Sequence, residues 1–279
     1  MRIRAKFGVR VAAILAALLV FLFVPAGRAQ NPDELMPAES AAKAKAILQQ
    51  AIDALGGAAY LNLHNSECTG RYALFQHSGD IGGYLQIREY REMPDKSRVE
   101  YDPKALIVNV YAGNQGWSLD RGGVSEVPAA DLADYQEQLK MQMGYVMRNR
   151  MNESGLFFRY GGRDVVDLKE ADWVEVGDHG RTLRIAVGRG DHLPIRSLLL
   201  QRDPKTGENT ERSTFYTSYH LVDGIQTPFR ESRYLNGRQV FQVFWESCAY
   251  NVDLPADLFT RASLEERYSQ EHGNKKKKK

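Results

Sequence analysis

Residues 131–151 read DLADYQEQLKMQMGYVMRNRM, and the assignment of this one stretch decides the fold. It opens after Pro128 with Asp131 and Asp134 near its start, where carboxylates favour the positive end of a helix. Leu132, Tyr135, Leu139, Met143, Val146, Met147 and the edge of Met151 then fall on one face at three- and four-residue steps, which predicts a helix over 131–151. Four of the seven methionines lie here, and a flexible, polarizable thioether adapts to irregular apolar shapes. Met141 and Tyr145 point nearly the opposite way, so the helix carries a second, smaller apolar patch. Such a helix is expected between a sheet and a ligand or partner; ordinary core filling is the alternative. Gly144 in its middle lowers helix stability by roughly 1 kcal/mol relative to alanine and permits close approach or bending.

On both sides of this stretch the apolar period becomes two. Strands are expected at 68–77, 83–92, 97–102, 105–112 and 116–120, separated by Gly, Asp, Pro and Asn clusters. A second run is expected at 163–169, 172–176, 181–187, 193–202, 211–220, 227–235 and 238–250. In 181–187, RTLRIAV, Leu183, Ile185 and Val187 share one face. Asn236-Gly237 is a strong hairpin signal because both residues tolerate positive φ, and 203–207 (DPKTG) is a connecting turn. Connections this short force antiparallel pairing. Ahead of the strands, Ala44, Ile47, Leu48, Ala51, Ile52 and Leu55 form a helical stripe, with Ser40 placed as the N-cap and Gly56-Gly57 as the stop. The fold class is therefore α+β: one large curved antiparallel sheet of about 11–12 strands, an open half-barrel once it curls, with helices over its concave face.

The N-terminus carries Arg2, Arg4, Lys6 and Arg10, an apolar run over 11–24, and small residues Gly27 and Ala29. This reads as a secretory signal over 1–29; the apolar run of about 14 residues falls short of the roughly 20 needed to span a membrane. A flexible lead follows over 30–39, then a domain over 40–260 and a flexible basic tail over 261–279. The formal charge of the whole chain is +2, but residues 1–29 hold five basic residues and no acids, so the remainder has 32 basic against 35 acidic residues. Setting aside Lys275–Lys279 leaves 27 against 35. An acidic body excludes a nucleic-acid binder, which needs a clustered basic face. The terminal lysines are suited to contact with anionic lipid head groups. Two cysteines, Cys68 and Cys248, fall on expected strands in a chain that reads as exported; they form either a disulfide or a pair of buried thiols. Their spacing excludes a zinc ribbon or a redox CxxC motif.

No motif of a serine hydrolase, zinc protease, nucleotide-binding loop or dinucleotide fold is present. His64, His77, His179, His192, His220 and His272 are scattered, and Asp178-His179 and Asp191-His192 sit in glycine-flanked turns. No catalytic residue, metal or cofactor is expected.

Three sets of residues carry a family resemblance: Gly113-Asn114-Gln115-Gly116-Trp117-Ser118-Leu119-Asp120; Leu193-Pro194-Ile195-Arg196 leading to Asp203 and Gly207; and 218–229, SYHLVDGIQTPF. With Ala54-Leu55-Gly56-Gly57 they cover about residues 40–260 and resemble the outer-membrane lipoprotein carrier and sorting proteins, the LolA-like group. The resemblance implies an open antiparallel half-barrel closed by helices over a hydrophobic cavity that binds lipid or lipoprotein acyl chains. It implies a non-enzymatic, monomeric periplasmic protein working in lipoprotein sorting or lipid transport. Trp117, Tyr135, Leu139, Met141, Met143, Met147, Met151, Phe157 and Phe158 are the candidates for the lining. The competing readings are a sensor or interaction module whose cavity is filled by side chains, and a hydrolase assembled from distant residues such as His179, His192 and His220 with a carboxylate.

Overall fold

The computed structural model describes residues 35–102, 106–202 and 206–276, so the expected signal and most of the lead, residues 203–205 and the last three lysines lie outside the described residues. Helix α1 (Pro37–Leu55) buries the expected stripe from Ala44 to Leu55. It starts earlier than the Ser40 cap implies, because Pro37 suits a first turn whose N–H groups have no helical partner. Ser40 is instead buried, and its Oγ accepts a hydrogen bond from the Tyr160 N–H at 3.0 Å, pinning α1 to the sheet. A short helix, α2 (Ala58–Leu61), follows. Between them Gly56 (φ +130°) backs onto the Gly224 carbonyl so closely that a Cβ there would lie 2.4 Å from the oxygen.

Thirteen strands form one sheet. The first six are β1 (Asn65–Phe75), β2 (Ile81–Glu92), β3 (Lys96–Tyr101), β4 (Ile107–Ala112), β5 (Gln115–Asp120) and β6 (Gly123–Glu126). The second set is β7 (Phe157–Val166), β8 (Lys169–Asp178), β9 (Arg181–Gly188), β10 (Pro194–Arg202), β11 (Asn209–Val222), β12 (Ile225–Leu235) and β13 (Arg238–Tyr250). Their order is β6-β5-β4-β3-β2-β1-β13-β12-β11-β10-β9-β8-β7: two meanders joined where β1 pairs with β13, with β6 and β7 as the two edges. All neighbours are antiparallel, and Asn236 and Gly237 turn with positive φ so that Leu235 pairs with Arg238 as the hairpin signal requires.

Two differences from the expected strands have local causes. β6 has only four residues, too few for a periodic signal. The expected strand over 163–169 overran a turn, because the turn uses Asp167 and Leu168 at φ +49° and +62°, and a leucine in that conformation carries no sequence signal. Leu168 is 96% exposed there.

The expected helix over 131–151 is broken. α3 (Ala129–Lys140) ends at Met141, Gln142 is extended, and the chain resumes as a single turn, α4 (Met143–Tyr145), running into a π-helical turn, Val146–Arg150. The break resets the helical phase, so the single apolar face drawn through Met143 and Met147 does not exist.

Outward-facing Val108, Val110, Trp117 and Leu119 on β4 and β5 are covered by Phe259 and Leu264. Leu264 belongs to α5 (Arg261–Lys276), so the stretch expected to be a flexible tail begins as a packed helix, held by Leu264 and Tyr268 four residues apart. Arg98, Glu100 and Arg267 form an ion-pair chain beside this cluster, at 2.8 and 2.6 Å. On the inward face of the same strands Tyr135 of α3 stacks on Tyr111 with ring centroids 3.8 Å apart.

At the junction of the two meanders Cys68 faces Cys248 directly, and they are joined as a disulfide across a Cα–Cα distance of 4.1 Å. The bond closes a loop of 180 residues and so restricts the unfolded chain strongly. Replacing both cysteines by alanine is expected to lower stability by about 2–4 kcal/mol, seen as a thermal midpoint roughly 5–10 °C lower, which reductant reproduces in the parent protein. An unchanged midpoint in both would sink this reading.

Candidate functional site

The chain leaving the β6 edge must reach the β7 edge at the far side of the sheet, and residues 129–150 make that crossing over the concave face. Between this cover and the sheet lies a cavity of about 490 Å³, within the 300–1,000 Å³ span of small-molecule sites. Leu139, Met141, Met143 and Tyr145 line it from the cover; Leu183, Leu199 and Trp245 line it from the sheet, with the Cys68–Cys248 bridge in its floor. Tyrosines supply much of the remaining wall. Tyr216, Tyr219 and Tyr250 spend their hydroxyls on Ser197, the Pro194 carbonyl and Thr227 at 2.9, 2.8 and 2.6 Å, leaving the rings to the cavity. Burial pushes the Tyr216 hydroxyl up to about 12, so it stays neutral.

The cavity is amphipathic. Glu89 and Arg91 on β2 pair at 2.8 Å, and Glu231 and Arg233 on β12 pair at 3.2 Å. β2 and β12 are separated by β1 and β13, yet the curl brings the pairs within each other's fields. Burial works against ionisation of Glu89, but Arg91, by charge and hydrogen bond, and the charge of Arg233 outweigh it and hold the carboxyl below its usual range. Glu89 in turn keeps Arg91 firmly protonated. Two further arginines, Arg148 and Arg212, also line the cavity.

The structure sorts the expected lining residues. Leu139, Met141 and Met143 border the cavity, Met141 because the helix break turns it inward. Met147 is buried at 1% exposure away from it, and Met151 is only partly buried and also outside it. Tyr135 is committed to Tyr111. Trp117 faces the opposite side of the sheet, in the cluster under α5, since its strand parity puts it with Val110. Phe157 is 57% exposed on edge strand β7, while Phe158 is buried beneath Lys45 of α1. The charged residues escaped the sequence reading because β2 carries polar residues on both faces, and period two cannot say which face turns toward a trough. Among the described residues no histidine lines the cavity; His179 is 93% exposed, and His220 packs on Phe229 with a 4.7 Å centroid distance. Among the described residues no group of three or more His, Cys, Asp or Glu is placed to hold a metal.

An ionic latch fixes the cover. Arg150, 5% exposed, reaches Asp178 at 3.0 Å and both Glu153 oxygens at 2.7 Å, and it donates to the Lys140 carbonyl at the end of α3 at 2.9 Å. Arg181 continues the chain, bonding Asp178 at 3.0 Å and the Glu137 carbonyl of α3 at 2.7 Å. The β8–β9 turn is thereby tied to both halves of the cover. Burial opposes ionisation of Asp178, but the Arg150 hydrogen bond and the charges of Arg150 and Arg181 hold its carboxyl below the usual range.

This arrangement, an open antiparallel half-barrel with a helical cover over its trough, defines a LolA-like fold. Three solved structures share it. A DUF1329 family protein from Desulfovibrio piger matches with a TM-score of 0.57 at 12% identity, covering 81% of this chain and 99% of that one. An outer membrane lipoprotein-sorting protein domain from Vibrio parahaemolyticus matches with a TM-score of 0.55 at 11% identity, covering 81% and 99%. A LolA superfamily protein from Nitrosomonas europaea matches with a TM-score of 0.53 at 14% identity, covering 79% and 99%. No protein-family model and no curated protein sequence matches the chain.

Because the folded pKa of Asp178 is depressed, its contribution is complete above the ordinary aspartate range near pH 4 and is lost as pH falls through the folded value. Arg150→Met is expected to destabilise by on the order of 3 kcal/mol, as removal of one partner of a buried pair does. Amide exchange over 129–150 is expected to accelerate in that variant at pH 7, and in the parent only on acidification below pH 4. Equal exchange in parent and variant at pH 7 would show that Arg150 does not hold the cover.

Proposed function

We propose that the protein is an exported, periplasmic carrier or binder of hydrophobic ligands, holding lipid or lipoprotein acyl chains between the sheet and the 129–150 cover. The observation that carries this is the open cavity of about 490 Å³ bordered by Leu139, Met141 and Met143. A solid interior would have supported a sensor or interaction module instead. Export rests on the basic, apolar and small-residue order of residues 1–29. None of the described helices is long and apolar enough to cross a membrane. The non-enzymatic reading is supported by the dispersal of His179, His192 and His220, none of which is among the described residues that line the cavity. The lysine run 275–279 is suited to a transient contact with anionic membrane surface, which would bring a monomeric carrier to its lipid source.

Met143 is partly buried and borders the cavity, so a charge there disturbs the ligand more than the core. Protein purified from the periplasm of an outer-membrane bacterium is expected to carry lipid in native mass spectrometry. Met143→Asp is expected to weaken uptake of a fluorescent fatty acid about tenfold, or ~1.4 kcal/mol, with a thermal midpoint within a few degrees of the parent. Protein that is repeatedly empty and takes up no probe would overturn the carrier reading.

A further inference from the structure

The charges that line the cavity do not balance. Among the described residues of the wall, four arginines, Arg91, Arg148, Arg212 and Arg233, face two glutamates, Glu89 and Glu231, with no lysine, aspartate or histidine beside them. The two glutamates are taken by Arg91 and Arg233. A net charge of +2 therefore lines the cavity of a body whose basic residues, apart from the signal and the terminal lysines, are outnumbered 27 to 35 by acids. The excess rests on Arg148 and Arg212.

Arg148 is the more exceptional. It lies on the π-helical turn of the cover, and among the described residues no carboxylate pairs with it. Its guanidinium instead donates to the Met93 sulfur at 3.6 Å and sits 5.1 Å from the centre of the Tyr60 ring, within hydrogen-bonding reach of the Tyr60 hydroxyl. Its Nε is buried with no hydrogen-bond partner. Two other arginines share that feature, but Arg184 and Arg196 are on the outer face and pair with Glu175 and Glu211 at 3.1 and 3.3 Å. A thioether and a neutral phenol replace water poorly around a cation, and a partly buried charge without an anion is costly. Gly144 leaves room for the guanidinium: a Cβ there would stand 3.3 Å from Arg148 Nη2. The helix break and the glycine together hold a cation at the cavity wall with donors left over.

We propose that the cavity selects anionic amphiphiles, with a carboxylate or phosphate head pairing with Arg148 and the hydrocarbon chain lying against Leu139, Met141, Met143 and the tyrosine rings. This deepens the carrier reading and rests on it. The head supplies the anion that the wall lacks, and a guanidinium matches either oxyanion with two parallel hydrogen bonds.

The test is competition for the fluorescent fatty-acid site by four single-chain oleoyl probes at pH 7.5: oleate, oleoyl lysophosphatidate, monoolein and oleoyl lysophosphatidylcholine. Oleate or lysophosphatidate is expected to bind at least about tenfold more tightly than monoolein, which shares the chain but has no charge. The two acids together separate a carboxylate source from a phosphate source. Arg148→Gln is expected to abolish the preference, and Arg148→Lys to keep part of it. Lysophosphatidylcholine binding like monoolein would show that the net negative charge, rather than a phosphate, is recognised. If monoolein and both acids bind the parent equally, this proposal fails and the carrier reading stands; if none of the four binds, both fail. Preference that persists in a folded Arg148→Gln protein would move the site away from Arg148 and overturn the assignment.

Discussion

Everything else in this molecule depends on the pairing of β1 with β13. Each meander alone is a run of hairpins with a free edge, and local turns suffice to build it. Joining the first strand to the last makes one sheet of thirteen strands among the described residues, with β6 and β7 at opposite ends of the strand order. The contact order of that junction is the highest in the fold, since Cys68 and Cys248 are 180 residues apart, and a covalent bond sits where closure is entropically most expensive. The same junction forms the cavity floor, so the bond that secures the sheet also fixes the surface on which a ligand would lie.

Closure at β1–β13 dictates the rest. With the free edges at opposite sides, the chain between β6 and β7 has to cross the sheet, and the concave side offers the shorter path. That crossing is the cover. Its interruption at Met141 and Gln142 is what allows α3 to stack Tyr135 on Tyr111 while the following turns present Met143, Tyr145 and Arg148 to the cavity. A single straight helix could satisfy only one of these surfaces.

The sequence was most legible where one local signal sufficed. The alternation of 181–187, the Asn236-Gly237 turn and the α1 stripe each specify their element without help from distant residues, and each formed. It was least legible where tertiary context decides. The methionines marked the cover, but which of them meet the cavity depends on a break that no proline announces. Trp117 has the bulk of a ligand-stacking residue, yet strand parity sends it to the outer face, where α5 buries it. Glu89 and Arg91, and Glu231 and Arg233, pair two residues apart on their own strands, but no sequence signal says that both pairs face the trough. Likewise nothing in the sequence links Arg150 to Asp178, and only folding brings the two together.

The attachment of the cover to both sheet edges has a mechanical consequence. A flap hinged at one end can swing clear of its trough; a strap anchored at β6 and again at β7 cannot. It behaves like a bowstring, its slack set by how tightly the sheet is bent. Widening the trough must lengthen the span between the two edges and draw the string taut, unless the break at Met141–Gln142 pays out chain. Loading and release would then be governed by the curvature of the whole sheet, with the Arg150–Asp178 contact acting as the knot that sets the string's resting length.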